Sequence, residues 1–235
     1  MQKNMRWLAA GALCAALGWG RAQAATAKKA DESKQPVAAK EVSGLPRVLI
    51  IGDSISLGYT PFVAQQLKGK ANIIHAPGNN ESTARGLEHL DAWLGPKKWD
   101  VIHFNWGLHD LKWIDDKTKI AEVGKGKQWV PVEQYEKNLT ELVQRLKKTG
   151  AKLIWCTTTP VPEGVLGRVP GDELKYNAAA LRVMQAANIP VDDLYAFVKP
   201  QRDQLGKPKD VHYTSAGSAA LAGEVVKAIE KALAQ

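Results

Sequence analysis

From Arg47 to the C-terminus, short apolar runs alternate with longer segments of helical period, and this alternation limits the fold more than any other feature. The runs are residues 48–51, 71–76, 99–105, 151–157 and 189–194. Each is bounded by turn-forming residues and is too short for a buried helix, so each reads as a strand. Between and after them, residues 57–67, 82–94, 131–148, 172–187 and 215–233 read as helices. The clearest is 131–148, where Tyr135, Leu139, Leu142, Val143 and Leu146 form one apolar stripe. Strands alternating with helices give a parallel sheet covered on both faces. The expected fold is therefore a three-layer α/β/α sandwich with a central, mostly parallel five-stranded sheet. Residues 112–130 break the pattern: they have no clean period, contain Gly124 and Gly126, and read as a long loop. Loops of that length in a compact domain are usually functional or mobile.

The chain has 235 residues, and the first two dozen have the composition of an export signal. Lys3 and Arg6 form a basic start, residues 7–19 an apolar stretch, and Ala22-Gln23-Ala24 a small-residue cleavage site. The apolar stretch is shorter than the ~20 residues a membrane span needs. Leu13 precedes Cys14 where a lipoprotein signal needs a small residue. The expectation is a signal peptide over 1–24 cut after Ala24, a periplasmic or secreted product, and no stable membrane anchor after cleavage. Residues 25–45 are Ala- and Lys-rich without apolar period and read as a disordered linker. Residues 46–235 suit one domain. Much of the formal net charge of +8 lies in the signal and linker (Lys3, Arg6, Arg21, Lys28, Lys29, Lys34, Lys40). No basic-aromatic repeat argues for nucleic acid. Cys156 is the lone cysteine after cleavage and lies in an apolar run; no spacing resembles a zinc site, and no cofactor or metal is expected.

Residues 47–58 carry the first candidate for chemistry. The run 48–51 ends at Gly52, Asp53 and Ser54 follow, and a periodic segment starts at Ile55. That turn places the Ser54 hydroxyl at the carboxyl end of the first strand, the edge where open α/β sheets bind ligands. A serine is a weak nucleophile without a neighbouring base. Of the five histidines, His89 falls mid-helix, while His75 and His103 fall on strands. His109 and His212 fall in loops after strands, and His212 has Asp210 two residues before it. A carboxylate on one ring nitrogen and the serine on the other is the triad arrangement. From these residues alone, a plain loop entering the last helix accounts for Asp210 and His212 equally well.

Taken together, Gly52-Asp53-Ser54-Ile55, the stretch 99–110 ending Gly107-Leu108-His109-Asp110, and Asp210-Val211-His212 before a terminal helix resemble blocks I, III and V of the SGNH, or GDSL, hydrolases. The resemblance implies a flavodoxin-like SGNH hydrolase fold. It also implies a serine esterase with an acyl-enzyme intermediate, Ser54 as nucleophile, His212 as base and Asp210 as its orienter. The oxyanion donors it implies are the Ser54 backbone N–H, a block II backbone N–H at Asn80 (Gly78 competing), and a block III side chain. His109 stands where the family has asparagine, with Asn105 as the other candidate. The G-L-H-D form resembles a subgroup of the family. Asp210 is one residue closer to the histidine than the family pattern, with Asp192 and Asp193 as distant substitutes. Asp53 and Asp110 read as turn-ordering residues.

Trp106, Trp113 and Trp129 cluster in or beside the 112–130 segment and are candidate substrate-stacking residues as a group, though for any one of them packing the loop onto the domain is the simpler reading. With the export signal, they point to an acyl, above all acetyl, ester on a carbohydrate or glycan. A lysophospholipid or other lipid ester, a small aryl ester, and a catalytically weak glycan- or envelope-binding protein are the alternatives. A nucleotide binder is disfavoured, since no glycine-rich phosphate fingerprint follows any strand.

Overall fold

The computed structural model describes residues 41–235. The expected signal peptide and most of the expected linker lie outside them. Glu41 to Leu45, read above as linker, belong to the domain. The Val42 N–H donates to Asn72 Oδ1 at 2.8 Å, the Asn72 side chain returns a bond to Val42 O at 2.9 Å, and Glu41 pairs with Arg47 at 2.8 Å.

The sheet runs β1 (Arg47–Ile51), β2 (Asn72–His75), β3 (Val101–Phe104), β6 (Lys152–Cys156) and β7 (Val191–Asp192) in the order β2-β1-β3-β6-β7. Every pairing is parallel, with Val48 opposite both Ile73 and Val101. All of β3, and β1 after Arg47, is buried, as strands covered on both faces must be. The helices α1 (Ser54–Gln66) and α7 (Ser215–Leu233) pack together, as do α2 (Thr83–Leu94), α3 (Val132–Lys147) and α4 (Asp172–Ala187). The order reverses between β1 and β3. At such a switch point the connections leave on opposite sides and open a crevice at the carboxyl ends of the strands.

Residues 112–130 depart from the expected loop. They form an antiparallel pair, β4 (Trp113–Ile114) and β5 (Lys127–Gln128), with Trp113 opposite Gln128. Strands this short leave no readable alternation. The pair is tied to the loop after β6 by the Trp113 N–H donating to Gly167 O at 2.7 Å. A Cβ on Gly167 would lie 2.6 Å from Ile120 Cγ2, so glycine is what lets the two segments close on one another. Residues 194–205 form α5 (Leu194–Val198), a 3-10 turn and α6 (Arg202–Leu205). Among the described residues no helix is long and apolar enough to cross a membrane.

Candidate active site

Ser54 is the first residue of α1. The helix is capped not by it but by Asp53, whose side chain accepts the Ile55 N–H at 2.9 Å. This leaves the Ser54 hydroxyl free of capping duty, and its backbone N–H is one of the orphan donors of a helix start. A Cβ on Gly52 would sit 2.9 Å from Ser56 Oγ, which is why the strand can turn so tightly into the helix. Ser56 is itself near a histidine, with Oγ 2.6 Å from His75 Nε2, but it is buried and also bonded to Asp53 O. That pair braces the turn and has no access to a substrate.

His212 arrives from the far end of the chain on a small hairpin. Gly206 bridges Tyr213, the Lys207 N–H donates to His212 O, the Thr214 N–H donates to Leu205 O, and Arg202 donates to Asp210 O. The hairpin sets His212 Nε2 at 2.8 Å from Ser54 Oγ and His212 Nδ1 at 2.6 Å from Asp210 Oδ1. The His212 backbone N–H also donates to Asp210 Oδ1 at 3.1 Å. Burial pushes the Asp210 carboxyl up, but the His212 backbone and ring outweigh it and hold the group below its ordinary value. Asp210 therefore stays ionised and able to accept the ring N–H. The shorter spacing, Asp210 two residues before His212, is accommodated by this turn. Asp192 lies elsewhere, bonded to His103 at 2.9 Å, and Asp193 caps α5.

His109 follows β3 and lines the same cleft as Ser54 and His212. Lys112 Nζ lies 3.2 Å from His109 Nδ1. An ammonium can only donate, so Nδ1 is the acceptor and the ring proton sits on Nε2. Burial, with the Lys112 and Arg168 cations nearby, pushes the His109 pKa down to about 3, and the ring is neutral. Gly107 allows this turn: a Cβ there would lie 2.1 Å from Thr158 Oγ1.

Several expected donors and stacking residues lie otherwise. The Asn80 backbone N–H donates to Gly52 O at 3.1 Å, and its side chain closes on the Gly52 N–H and Pro77 O. Asn80 stitches the turns after β1 and β2 together; its backbone N–H is spent on Gly52 O, and the residue is fully buried and does not line the cleft. Asn105 directs its amide to Cys156 O at 2.7 Å. Trp106 is fully buried, with its indole N–H on Asn80 O, and Gly86 makes room for its ring. Trp129 lies under the Lys112 ammonium, 3.9 Å from ring centroid to Nζ. Trp113 belongs to the β4–β5 pair, and none of the three tryptophans lines the cleft.

The cleft measures about 380 Å³ and is bordered by Ser54, Asn79, His109, Arg168 and His212, among others. A larger groove, about 710 Å³, lies at the opposite, amino edge of the sheet among Lys97, Trp99, Arg145 and Thr149. It contains no serine or histidine, so volume is a poor guide here and chemistry decides. Among the described residues, His103, Cys156 and Asp192 are the group whose ligand atoms could gather round an ion. They are buried in the sheet, away from the cleft, and His103 already spends Nε2 on Asp192.

A model of the family described as "GDSL-like Lipase/Acylhydrolase family" matches residues 50–220. The chain belongs to that family. This acylhydrolase is a carboxylic ester hydrolase of the SGNH type, and its solved structural neighbours share the fold. An acetyl xylan esterase, AlAXEase, superposes with a TM-score of 0.63 at 20% identity, over 78% of this chain and 99% of that one. A lipase/acylhydrolase from Enterococcus faecalis gives 0.65 at 20% identity, over 80% and 96%. The esterase EstA from Pseudoalteromonas sp. gives 0.61 at 17% identity, over 80% and 99%. No curated protein matches the acylhydrolase's sequence.

Two cleft residues escaped the sequence reading. Asn79 spends Oδ1 on the Glu81 N–H at 3.1 Å, an Asx turn that leaves its amide N–H groups without a protein acceptor among the described residues. In the sequence it is marked only by its place in the 77–81 turn, where the block II resemblance falls on Asn80 or Gly78. Arg168 lies in the Pro/Gly-rich loop after β6 and carries no motif.

Asp110 ties the block III turn to α2 by accepting the Thr83 N–H at 2.9 Å and the Thr83 hydroxyl at 2.5 Å. Burial raises its pKa to about 7 despite these bonds. In the unfolded chain the group titrates near 4. Between about pH 4 and 7 the folded protein therefore holds a proton that the unfolded chain has lost, and this residue's contribution to stability falls as pH rises. We expect Asp110→Asn to remove a contribution on the order of a few kcal/mol to the fall in stability between pH 4.5 and 7.5. Urea unfolding of both proteins at the two pH values measures it; an unchanged difference would show that Asp110 does not titrate there.

Proposed function

We propose that the enzyme is exported and removes an acyl group, above all acetyl, from an esterified carbohydrate or glycan, using Ser54, His212 and Asp210. The observation that carries the reading is the continuous chain from Ser54 Oγ through His212 to Asp210, at 2.8 and 2.6 Å. Ser54 attacks the ester carbonyl while His212 takes its proton. His212 then returns the proton to the leaving alcohol, and water releases the acyl-enzyme by the same route. The oxyanion meets the Ser54 backbone N–H at the positive end of α1, the Nε2–H of neutral His109, and the Asn79 amide.

The compact cleft with polar groups on its floor supports a sugar ester, as does the likeness in fold to an acetyl xylan esterase. The basic start, apolar stretch and Ala-x-Ala site of residues 1–24 support export. A second reading, a lipid ester, draws on Ile120 and Leu166, which are 44% and 58% exposed at the cleft. An acyl-length series of p-nitrophenyl esters separates the two: a rate that falls from acetyl to octanoyl supports the first. Labelling with a fluorophosphonate, followed by mapping of the modified residue, tests the nucleophile. Modification at Ser54 is expected, and modification elsewhere or none at all would sink the proposal.

A further inference from the structure

Arg168 takes no step in the chemistry just described beyond helping to keep His109 neutral, yet it borders the cleft with Ser54. Its side chain is nine-tenths buried. Nε donates to Leu108 O at 3.0 Å, and among the described residues the two terminal nitrogens have neither an acceptor nor an ion-pair partner. They are not among the buried atoms left without a partner, so they keep some exposure, and Arg168 borders the cleft. Lys112 lies in the same wall, held between His109 Nδ1 and the Trp129 ring, and forms no salt bridge among the described residues.

A buried guanidinium with free terminal N–H groups is costly unless something accepts from them. The two carboxylates that border the cleft do not pair with its cations: Asp210 is engaged with His212 and Asp53 with the α1 cap. Arg168 and Lys112 are left facing the cleft without a carboxylate partner among the described residues. A planar guanidinium presenting two N–H groups is matched by a carboxylate.

We infer that Arg168, with Lys112 beside it, holds a carboxylate of the substrate, so that the ester reaching Ser54 belongs to an acidic molecule. Resting on the carbohydrate-ester reading above, this makes the substrate an O-acylated acidic sugar, such as a uronic acid unit of a glycan. The turn that leads into β4 and the loop after β6 supply the two cations, so substrate charge is read by segments outside the sheet.

Two matched pairs of esters test this. Hydrogen succinate and butyrate esters of p-nitrophenol place the carboxylate on the acyl side. 4-Acetoxybenzoate and its methyl ester place it on the alcohol side. For one pair, the ratio of anionic to neutral kcat/KM is expected to fall by roughly 10- to 100-fold in Arg168→Gln. Arg168→Lys should retain part of it, and Lys148→Met in the distant groove should leave it unchanged. Equal losses on both members of both pairs would make Arg168 a strut for Leu108 and overturn the inference. A binding measurement separates this from failure of the esterase reading. Calorimetry on Ser54→Ala protein should show glucuronate binding more tightly than glucose, and Arg168→Gln should remove the difference. If no ester is hydrolysed but glucuronate binds selectively, the anion site stands and the esterase assignment falls. No selectivity in either measurement overturns the anion site.

Discussion

Ser54→Ala should lower kcat for p-nitrophenyl acetate by roughly 10⁴- to 10⁶-fold, while the protein melts within a degree or two of the parent. The two halves of this expectation come from different atoms. The hydroxyl lies 2.8 Å from His212 Nε2, and no other residue bordering the cleft carries a hydroxyl or thiol. The helix, by contrast, is capped by the Asp53 carboxylate, so removing the serine oxygen costs α1 no hydrogen bond. Because nucleophile and base act as one unit, Ser54→Ala/His212→Ala should be about as slow as the single variant. Steady-state rates at saturating ester give both numbers. A residual rate within tenfold of the parent would remove Ser54 from the mechanism.

His109→Ala should lower kcat by about 10²- to 10³-fold, the size of one lost oxyanion donor, with a much smaller change in KM. The bond is made to charge that develops only in the transition state, so ground-state binding barely senses it. His109→Asn restores a side-chain N–H near the same place and should recover part of the loss. The ring is held neutral far below physiological pH, so His109 should contribute no inflection to the rate profile between pH 5 and 8. Lys112→Met removes both the donor that fixes the ring proton on Nε2 and a charge that depresses the pKa. The His109 pKa should therefore rise, and kcat should fall with KM less affected. An unchanged kcat in His109→Ala would leave the Ser54 N–H and Asn79 as the oxyanion donors.

The sheet was legible because each of its five strands is a short apolar run closed by a turn, a pattern written locally in the residues. The edge that carries Ser54 was legible for a related reason, since a strand of a parallel sheet turns into its helix there. The meeting with His212 rested on the resemblance of Asp210-Val211-His212 to block V, because His212 follows α6 and not a strand, and the residues alone fitted a plain loop equally well. What stayed hidden depends on partners distant in the sequence. Asn80 could not be told from Asn79 without knowing that the Gly52 carbonyl takes the Asn80 N–H. Trp106 looked like a stacking residue until Gly86 on α2 was seen to seat its ring. The β4–β5 pair has strands of two residues, too short to show a period. Arg168 matters only because the loop carrying it folds back to the Leu108 carbonyl, 60 positions away.

The β4–β5 pair meets the rest of the domain through a handful of backbone bonds, Trp113 to Gly167, Trp129 to Lys112 and Val130 to Asp110. None of them touches the strand and helix that present Ser54. The molecule is thus divided between a reactive half, fixed by the sheet, and a selecting half, hung from the ends of β3 and β6. Because Lys112 fixes the proton on His109, an exchange of this appendage that keeps Lys112 changes selection without rebuilding the machinery that cleaves the ester, and grafting experiments have a natural pair of seams, one on either side of residues 113–130.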